Sequence, residues 1–347
     1  MPRPDYAGAV PMTLLAIGET MAMVTPVVAT PVTEADAFLL DAGGAESNVA
    51  AHVAALGHRA VWFSRLGDDA LGHRIARQLT ARGVDVSRVV FDGAHPTGLY
   101  VKDPGNGVLY YRRGSAAAHL SDADADAVAF DGVDLLHVSG ITAAISASAS
   151  SFLARVIARA RENGVQVSFD VNHRAPLWDA ATAAPVLLEL ARRADIVLVG
   201  RDEAETLWGT ATAADVRALL PEVAELIVKD GDVGATAFVG ADEVFEPALV
   251  VEVVEPVGAG DAFAGGYLAG HLSGDAVPDR LRAGHARAAR TLQTTTDSID
   301  EPAEPAEPAE PAEPAVPAVP AVPAVPAVPA VPAVPAVPAP LPGSTTP

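Results

Sequence analysis

The chain contains no cysteine. Disulfides and thiolate-held metal sites are therefore excluded, and a reducing cytoplasm is the expected location. Positive charge is scarce: 23 Lys and Arg stand against 44 Asp and Glu, a net charge of -21. So acidic a surface disfavours nucleic acid and anionic membranes as partners, and any bound anion has to be held by local cations and backbone donors. Long hydrophobic runs are missing too; Val133 to Val138 is far too short to span a bilayer. Met1 to Pro11 lacks a basic stretch followed by an apolar one, so no signal peptide is expected, and Met12 is an alternative start because the fold pattern begins at Thr13. His52, His58, His73 and His137 show no metal-ligand spacing and read as structural or exposed.

What is present divides in two. Over residues 12–299, apolar runs alternate with helical patterns, enough chain for one large domain with a substantial core. Leu14 to Ile17, Val61 to Ser64, Val133 to Val138, Val165 to Phe169, Ile196 to Val199 and Leu226 to Val228 read as buried strands. Between them, Phe152, Leu153, Val156, Ile157 and Ala160 share one face of a helix over Ser150 to Arg161. Such alternation predicts an α/β fold, with a mostly parallel sheet covered on both faces and ligands bound beyond the carboxyl ends of its strands. Two segments depart from it. Residues 20–40 are rich in Thr, Val and Pro without a helical period, and 97–114 read as a hairpin turning at Asp103 to Gly107. Together they predict a small β-sheet, either a lid or an edge extension without a role.

Residues 300–347 form the second part. Glu-Pro-Ala triplets run from Glu301 to Ala315, and Val-Pro-Ala triplets from Val316 to Ala339. Proline at every third position forbids helix and central strand, and the period matches polyproline II. The tail is expected to be disordered or polyproline II. It is a stiff spacer, a docking strip for an unknown partner, or an expansion without consequence.

Chemistry concentrates in four places. In Glu255-Pro256-Val257-Gly258-Ala259-Gly260-Asp261, a glycine-bearing turn opens into an apolar helical run. Unpaired N–H groups and the positive end of the helix dipole converge there, which makes an anion site. An aspartate among those donors would compete with a bound phosphate, so Asp261 reads as a base beside a phosphoryl group held for transfer; the plain alternative is an N-cap. Asp41 to Ala50 is a second glycine turn, where Gly43 and Gly44 permit close backbone approach and Asn48 offers an amide to a hydroxyl. Asp170, Asn172 and Arg174 alternate after a buried strand, which sends them one way, and an arginine there suits a carboxylate or phosphate. Lys229 to Ala235 is a strand, a turn bearing Gly231 and Gly234, and another strand, able to wrap a nucleotide but also a common hairpin. Val250 to Val254 is expected to be the strand that delivers the anion turn.

In this order the segments resemble the ribokinase-like (PfkB) sugar kinases, from Thr13 to about Thr296. The Gly43 to Asn48 turn looks like that family's first signature and Pro256 to Asp261 like its second, with Pro256-Val257 where Asp-Thr is frequent. The resemblance implies a three-layer α/β/α sandwich with a β-lid that often meets its counterpart in a homo-oligomer. It implies Asp261 as catalytic base and the amides of Gly258, Ala259 and Gly260 as anion hole. ATP would lie against Asn172, Lys229, Gly231, Gly234, Gly258, Gly260 and His285, with Mg²⁺ reached indirectly by Glu203. Within the family, Tyr100, Tyr110 to Ala116 and Asp170 to Trp178 look most like 2-keto-3-deoxygluconate kinases. That likeness implies sugar-acid contacts from Gly44, Asn48, Tyr100, Tyr110, Arg112, Arg174 and Asp261, the arginines neutralising the carboxylate. Glu19 fits acid-sugar and fructose kinases better than ribokinases, which usually have Asp there. Fructokinase or another sugar kinase is the alternative, and a non-catalytic sugar sensor the third reading. Gly200 stands where Asn is common near the metal-bound phosphates, and His285 where Asn is frequent near the adenine.

Overall fold

A computed structural model of the protein describes residues 12–294. The expectations for 1–11 and for the triplet tail lie outside the described residues. Nine strands form one sheet, ordered from edge to edge Asp242–Pro247, Gly234–Val239, Glu225–Asp230, Ile196–Gly200, Gln166–Asp170, Leu135–Ser139, Thr13–Ile17, Arg59–Phe63 and Val84–Asp85. Every neighbouring pair from Glu225–Asp230 to Val84–Asp85 is parallel, and the first two strands are added as antiparallel hairpins.

Alternation along the central strand builds the layers. Leu15 and Ile17 pack with Phe152, Val156 and Ile157 on one face of the sheet. Leu14 and Ala16 pack with Trp62, Leu268 and Leu281 on the other. Both faces are covered by helices, so the central strands are apolar throughout and Thr13–Ile17 is buried at all its positions. The helix Ala147–Glu162 buries the face its spacing predicts. The expected α/β/α sandwich is the one observed.

A separate four-stranded sheet runs in the order Phe38–Gly43, Met21–Pro26, Leu99–Asp103 and Gly107–Tyr111. It joins the two segments that broke the alternation. Its first strand ends at Gly43, which places the glycine pair at the junction between this sheet and the helix Ala45–Ala55. A third sheet pairs Arg65–Gly67 with Val90–Asp92; strands that short carry no readable period and were not foreseen.

The strand expected over Val250 to Val254 is absent. Asp242–Pro247 is already the sheet edge, and Val250 beyond it is fully exposed. The amide of Val254 donates instead to the Leu292 carbonyl, 2.7 Å away, at the end of the helix Val277–Leu292. The anion turn is thus delivered by a loop tied to that helix.

The turn opens the helix Ala259–Leu272, which lies against both Ala45–Ala55 and Val277–Leu292. Small residues permit the approach. A Cβ at Gly265 would run into His52, and one at Gly266 would lie 2.5 Å from the Ala283 carbonyl oxygen. Close contact on two sides fixes the helix, and with it the position of Asp261.

Candidate active site

The carboxyl ends of the parallel strands open onto a cavity of about 730 Å³. Glu19 follows Thr13–Ile17, Asp170 closes Gln166–Asp170, Gly200 closes Ile196–Gly200, and Lys229 lies near the end of Glu225–Asp230. The helix Ala259–Leu272 supplies Gly260 and Asp261, and the small sheet contributes Tyr100, Lys102 and Tyr110.

Helix Ala259–Leu272 starts from Gly258, whose φ of 85° is a left-handed conformation that suits glycine. No side chain caps this helix. The amides of Gly260 and Asp261, in its first turn, therefore face the cavity end without an intrahelical acceptor. Lys229 Nζ lies 3.8 Å from where a Cβ of Gly260 would stand. A cation and helix-end amides thus converge on one spot, an arrangement that holds an anion.

Asp261 is held by Asn48, whose Nδ2 donates to Oδ2 at 3.0 Å. Burial pushes the Asp261 carboxyl up to about 6, while the Asn48 hydrogen bond and the Arg174 charge hold it down. It is a carboxylate at neutral pH and still a competent proton acceptor. Lys229 donates to Asp170 Oδ2 at 2.8 Å. Burial works against the Lys229 ammonium, but Asp170, Glu203 and Asp261 outweigh it and raise its pKa. Two residues before Asn48, Glu46 is fully buried; Ser139 Oγ donates to its Oε1 at 2.6 Å. Burial pushes the Glu46 carboxyl up to about 7.

The sequence reading placed Asp170, Asn172 and Arg174 together through strand alternation. All three line the cavity, but for another reason. The strand stops at Asp170, and Asn172 adopts φ 42°, the one non-glycine residue at positive φ among the described residues. Such a conformation costs energy and is kept where the surroundings dictate it.

Arg112 pairs with the buried Glu19 carboxylate, whose other oxygen accepts from Ser115 Oγ at 2.6 Å. Its guanidinium also lies 5.8 Å from the centre of the Tyr110 ring. Arg112 is therefore no free cation: Glu19 balances its charge. Arg174, exposed at the cavity mouth, is the less committed arginine. Gly44 lines the cavity, yet what demands a glycine there is the chain itself, since a Cβ would meet the Glu19 carbonyl and Thr20 Oγ1 at 2.5 Å.

Four candidates stand outside the cavity lining: Ala259, Gly231, Gly234 and His285. Gly231 and Gly234 shape the 230–234 turn with φ of 50° and 151°. His285 Nε2 lies 3.1 Å from the Glu246 carbonyl, and its ring meets Phe263 edge-on at 5.1 Å. Glu203 does line the cavity, but its carboxylate accepts from the amides of Gly200, at 3.0 Å, and His173. It caps the helix Arg201–Trp208, and burial beside Asp170 raises its carboxyl to about 7. Among the described residues, no three His, Asp or Glu side chains are grouped to hold a metal.

Lys102 is the residue the sequence reading missed. It is 6% exposed and lines the cavity. The strand Leu99–Asp103 buries Tyr100 and Lys102 alternately, so stepping two residues on from Tyr100 would have found it.

Set against known proteins, residues 12–304 match the model of the pfkB family carbohydrate kinases. A 2-dehydro-3-deoxygluconokinase of Bacillus subtilis (strain 168) is 38% identical over 284 residues, 79% of this chain and 88% of that protein. Fructokinase-1 of Oryza sativa subsp. japonica is 33% identical over 264 residues, 74% of this chain and 81% of that one. The crystal structure of 2-dehydro-3-deoxygluconokinase from Thermotoga maritima superposes with a TM-score of 0.77 at 25% identity, covering 84% of this chain and 96% of that chain.

Proposed function

The chain belongs to the pfkB family of carbohydrate kinases, and from that premise we propose that it phosphorylates the terminal hydroxyl of 2-keto-3-deoxygluconate (2-dehydro-3-deoxygluconate) at the expense of ATP. The observation that carries the reading is the convergence on one cavity of Asp261, the Gly260 and Asp261 amides and Lys229, with Tyr100, Lys102 and Tyr110 of the small sheet lining the same cavity. Phosphoryl transfer asks mainly for positioning and for donors where negative charge gathers.

Asp261, oriented by Asn48, accepts the proton of the sugar hydroxyl as that oxygen bonds to the γ-phosphorus of ATP and the bond from the γ-phosphorus to the β–γ bridging oxygen breaks, with ADP as the leaving group. The proton passes to an Asp261 carboxylate oxygen. Lys229 and the helix-end amides hold the negative charge of the transferring group. ATP with Mg²⁺ would supply the phosphoryl group, the metal being held mainly by the nucleotide and water rather than by protein side chains. The uncapped helix end beside a lysine fits the phosphates, and Glu203, with its carboxylate spent on two backbone amides, fits only an indirect contact with the metal. Tyr100 and Tyr110, with ring centres 5.9 Å apart, wall the sugar subsite, and Arg174 attracts the substrate carboxylate.

The Glu19–Arg112 pair favours a second reading. A neutralised arginine suits hydroxyls as well as a carboxylate, and the kinship to fructokinase points the same way. It also weakens Arg112→Ala as a discriminator, because that change leaves the Glu19 carboxylate buried without its partner whichever sugar binds. Release of ADP with ATP and Mg²⁺, compared for 2-keto-3-deoxygluconate, fructose and ribose, separates the readings: preference for the keto-deoxy acid supports the first, and preference for fructose overturns that substrate while keeping the chemistry. Asp261→Asn is expected to lower turnover by about a thousandfold or more while sugar still binds. Turnover near the wild-type rate would remove Asp261 from the mechanism.

A further inference from the structure

We propose that Lys102 and Glu255 act as a positioning pair that ties the small sheet to the anion turn, so that the sugar subsite and the phosphoryl subsite are held in one geometry. The proposal rests on the kinase reading and adds two residues that the family signatures do not contain.

Lys102 lies on the strand Leu99–Asp103 of the small sheet, next in alternation to Tyr100 of the sugar wall. Its Nζ stands 3.9 Å from Glu255 Oε2, the distance of an ion pair. The other oxygen of Glu255 accepts the amide of Val257 at 3.1 Å. Val257 adjoins Gly258, where the chain turns left-handed into the helix whose first amides face the cavity. The amides of Val254 and Glu255 are fixed in turn on the Leu292 carbonyl. A continuous path therefore runs from the sugar wall through Lys102, the Glu255 carboxylate and the Val257 amide to the anion hole.

The location gives the pair its weight. Lys102 is 6% exposed, so its charge is partly out of water and is screened less than a surface ion pair. The loop it reaches has no strand to hold it, as the absence of pairing over Val250 to Val254 shows. A carboxylate that binds Lys102 with one oxygen and the loop's own amide with the other supplies order that a sheet would otherwise give. In-line transfer is sensitive to displacements of about 1 Å between acceptor and phosphoryl group. A tie between the elements that hold those two partners therefore acts on turnover more than on affinity.

The test uses the full chain with Lys102→Met, Glu255→Gln, both together, and the exchanged pair Lys102→Glu with Glu255→Lys. Each single change is expected to lower kcat by about tenfold, with KM for sugar and ATP nearly unchanged. The double variant is expected to be no slower than the worse single one, and the exchanged pair to recover part of the loss. Two unaltered single variants, or losses that multiply with no recovery on exchange, would overturn the pair. So would a Lys102→Met variant with a raised KM for ATP that Glu255→Gln does not share, because Lys102 would then serve the nucleotide directly. Hydrogen exchange in the free protein reads the tie apart from turnover: Lys102→Met should speed exchange in 254–258, and unchanged exchange there counts against the proposal. Failure of the kinase reading shows elsewhere, as a wild-type protein that turns over none of the sugars.

Discussion

As the proposed base, Asp261 has to meet two opposed demands, since such a group must be ionised at working pH and yet retain affinity for a proton. Burial raises its pKa to about 6, and the Asn48 amide, which donates to the charged form, keeps it from rising further. The sign of the pH dependence follows. Below about 6 the carboxyl is protonated and cannot accept, so kcat/KM should rise with pH through that value and level off above it. Asn48→Ala removes a donor to the charged form and should move the limb to higher pH by about one unit, the equivalent of roughly 1.4 kcal/mol. A pH–rate profile of both proteins checks this, and an unmoved limb would mean that another group titrates. The same raised pKa works against stability: what Asp261 contributes is present below its unfolded value and lost as pH rises through about 6. Local signal picked out Gly43, Gly44, Asn48, Gly258, Gly260 and Asp261 as well as Asp170, Asn172 and Arg174, all of which line the cavity, although the alternation expected beyond Asp170 gives way to a left-handed Asn172. It was silent on what Lys102 and Glu19 pair with, because Glu255, Arg112 and Ser115 are far away in sequence.

At the scale of elements, the helix Ala259–Leu272 decides the site, and its glycines decide the helix. Replacing an exposed helical glycine by alanine gains about 1 kcal/mol. Gly266→Ala should do the reverse here, because the new Cβ would lie 2.5 Å from the Ala283 carbonyl oxygen. A loss of about 1–3 kcal/mol in denaturant unfolding is expected, and a gain would show that close packing is not what the glycine serves. Central strands were legible because burial on both faces leaves an unbroken apolar run. Val250 to Val254, apolar but for Glu252, gives a similar signal and is a loop. Apolar composition states a preference for burial, whereas forming a strand also needs strand partners for the backbone, and here the amides of Val254 and Glu255 donate to the Leu292 carbonyl at a helix end instead.

For the whole molecule, the described residues 12–294 supply both core layers and a cavity lining, and the helix Val277–Leu292 contributes the carbonyl that holds the anion loop. A chain ending after Asp300 is therefore expected to keep its unfolding transition and its turnover to within about twofold, measured by thermal unfolding and the ADP-release assay. A large loss of either would assign the triplet repeats a part in the fold or the reaction. The sequence by itself determined the α/β class, the small sheet, the family and the two glycine turns, because apolar periodicity and signature spacing are local properties of the chain. Only the tertiary structure decided that Glu19 balances Arg112, that Glu203 caps a helix, that Asn172 turns left-handed into the cavity, and that Lys102 reaches Glu255. The Glu19–Arg112 and Lys102–Glu255 pairs depend on which distant segments the sheet order brings within a few ångströms, and charge pairing and burial act through that proximity.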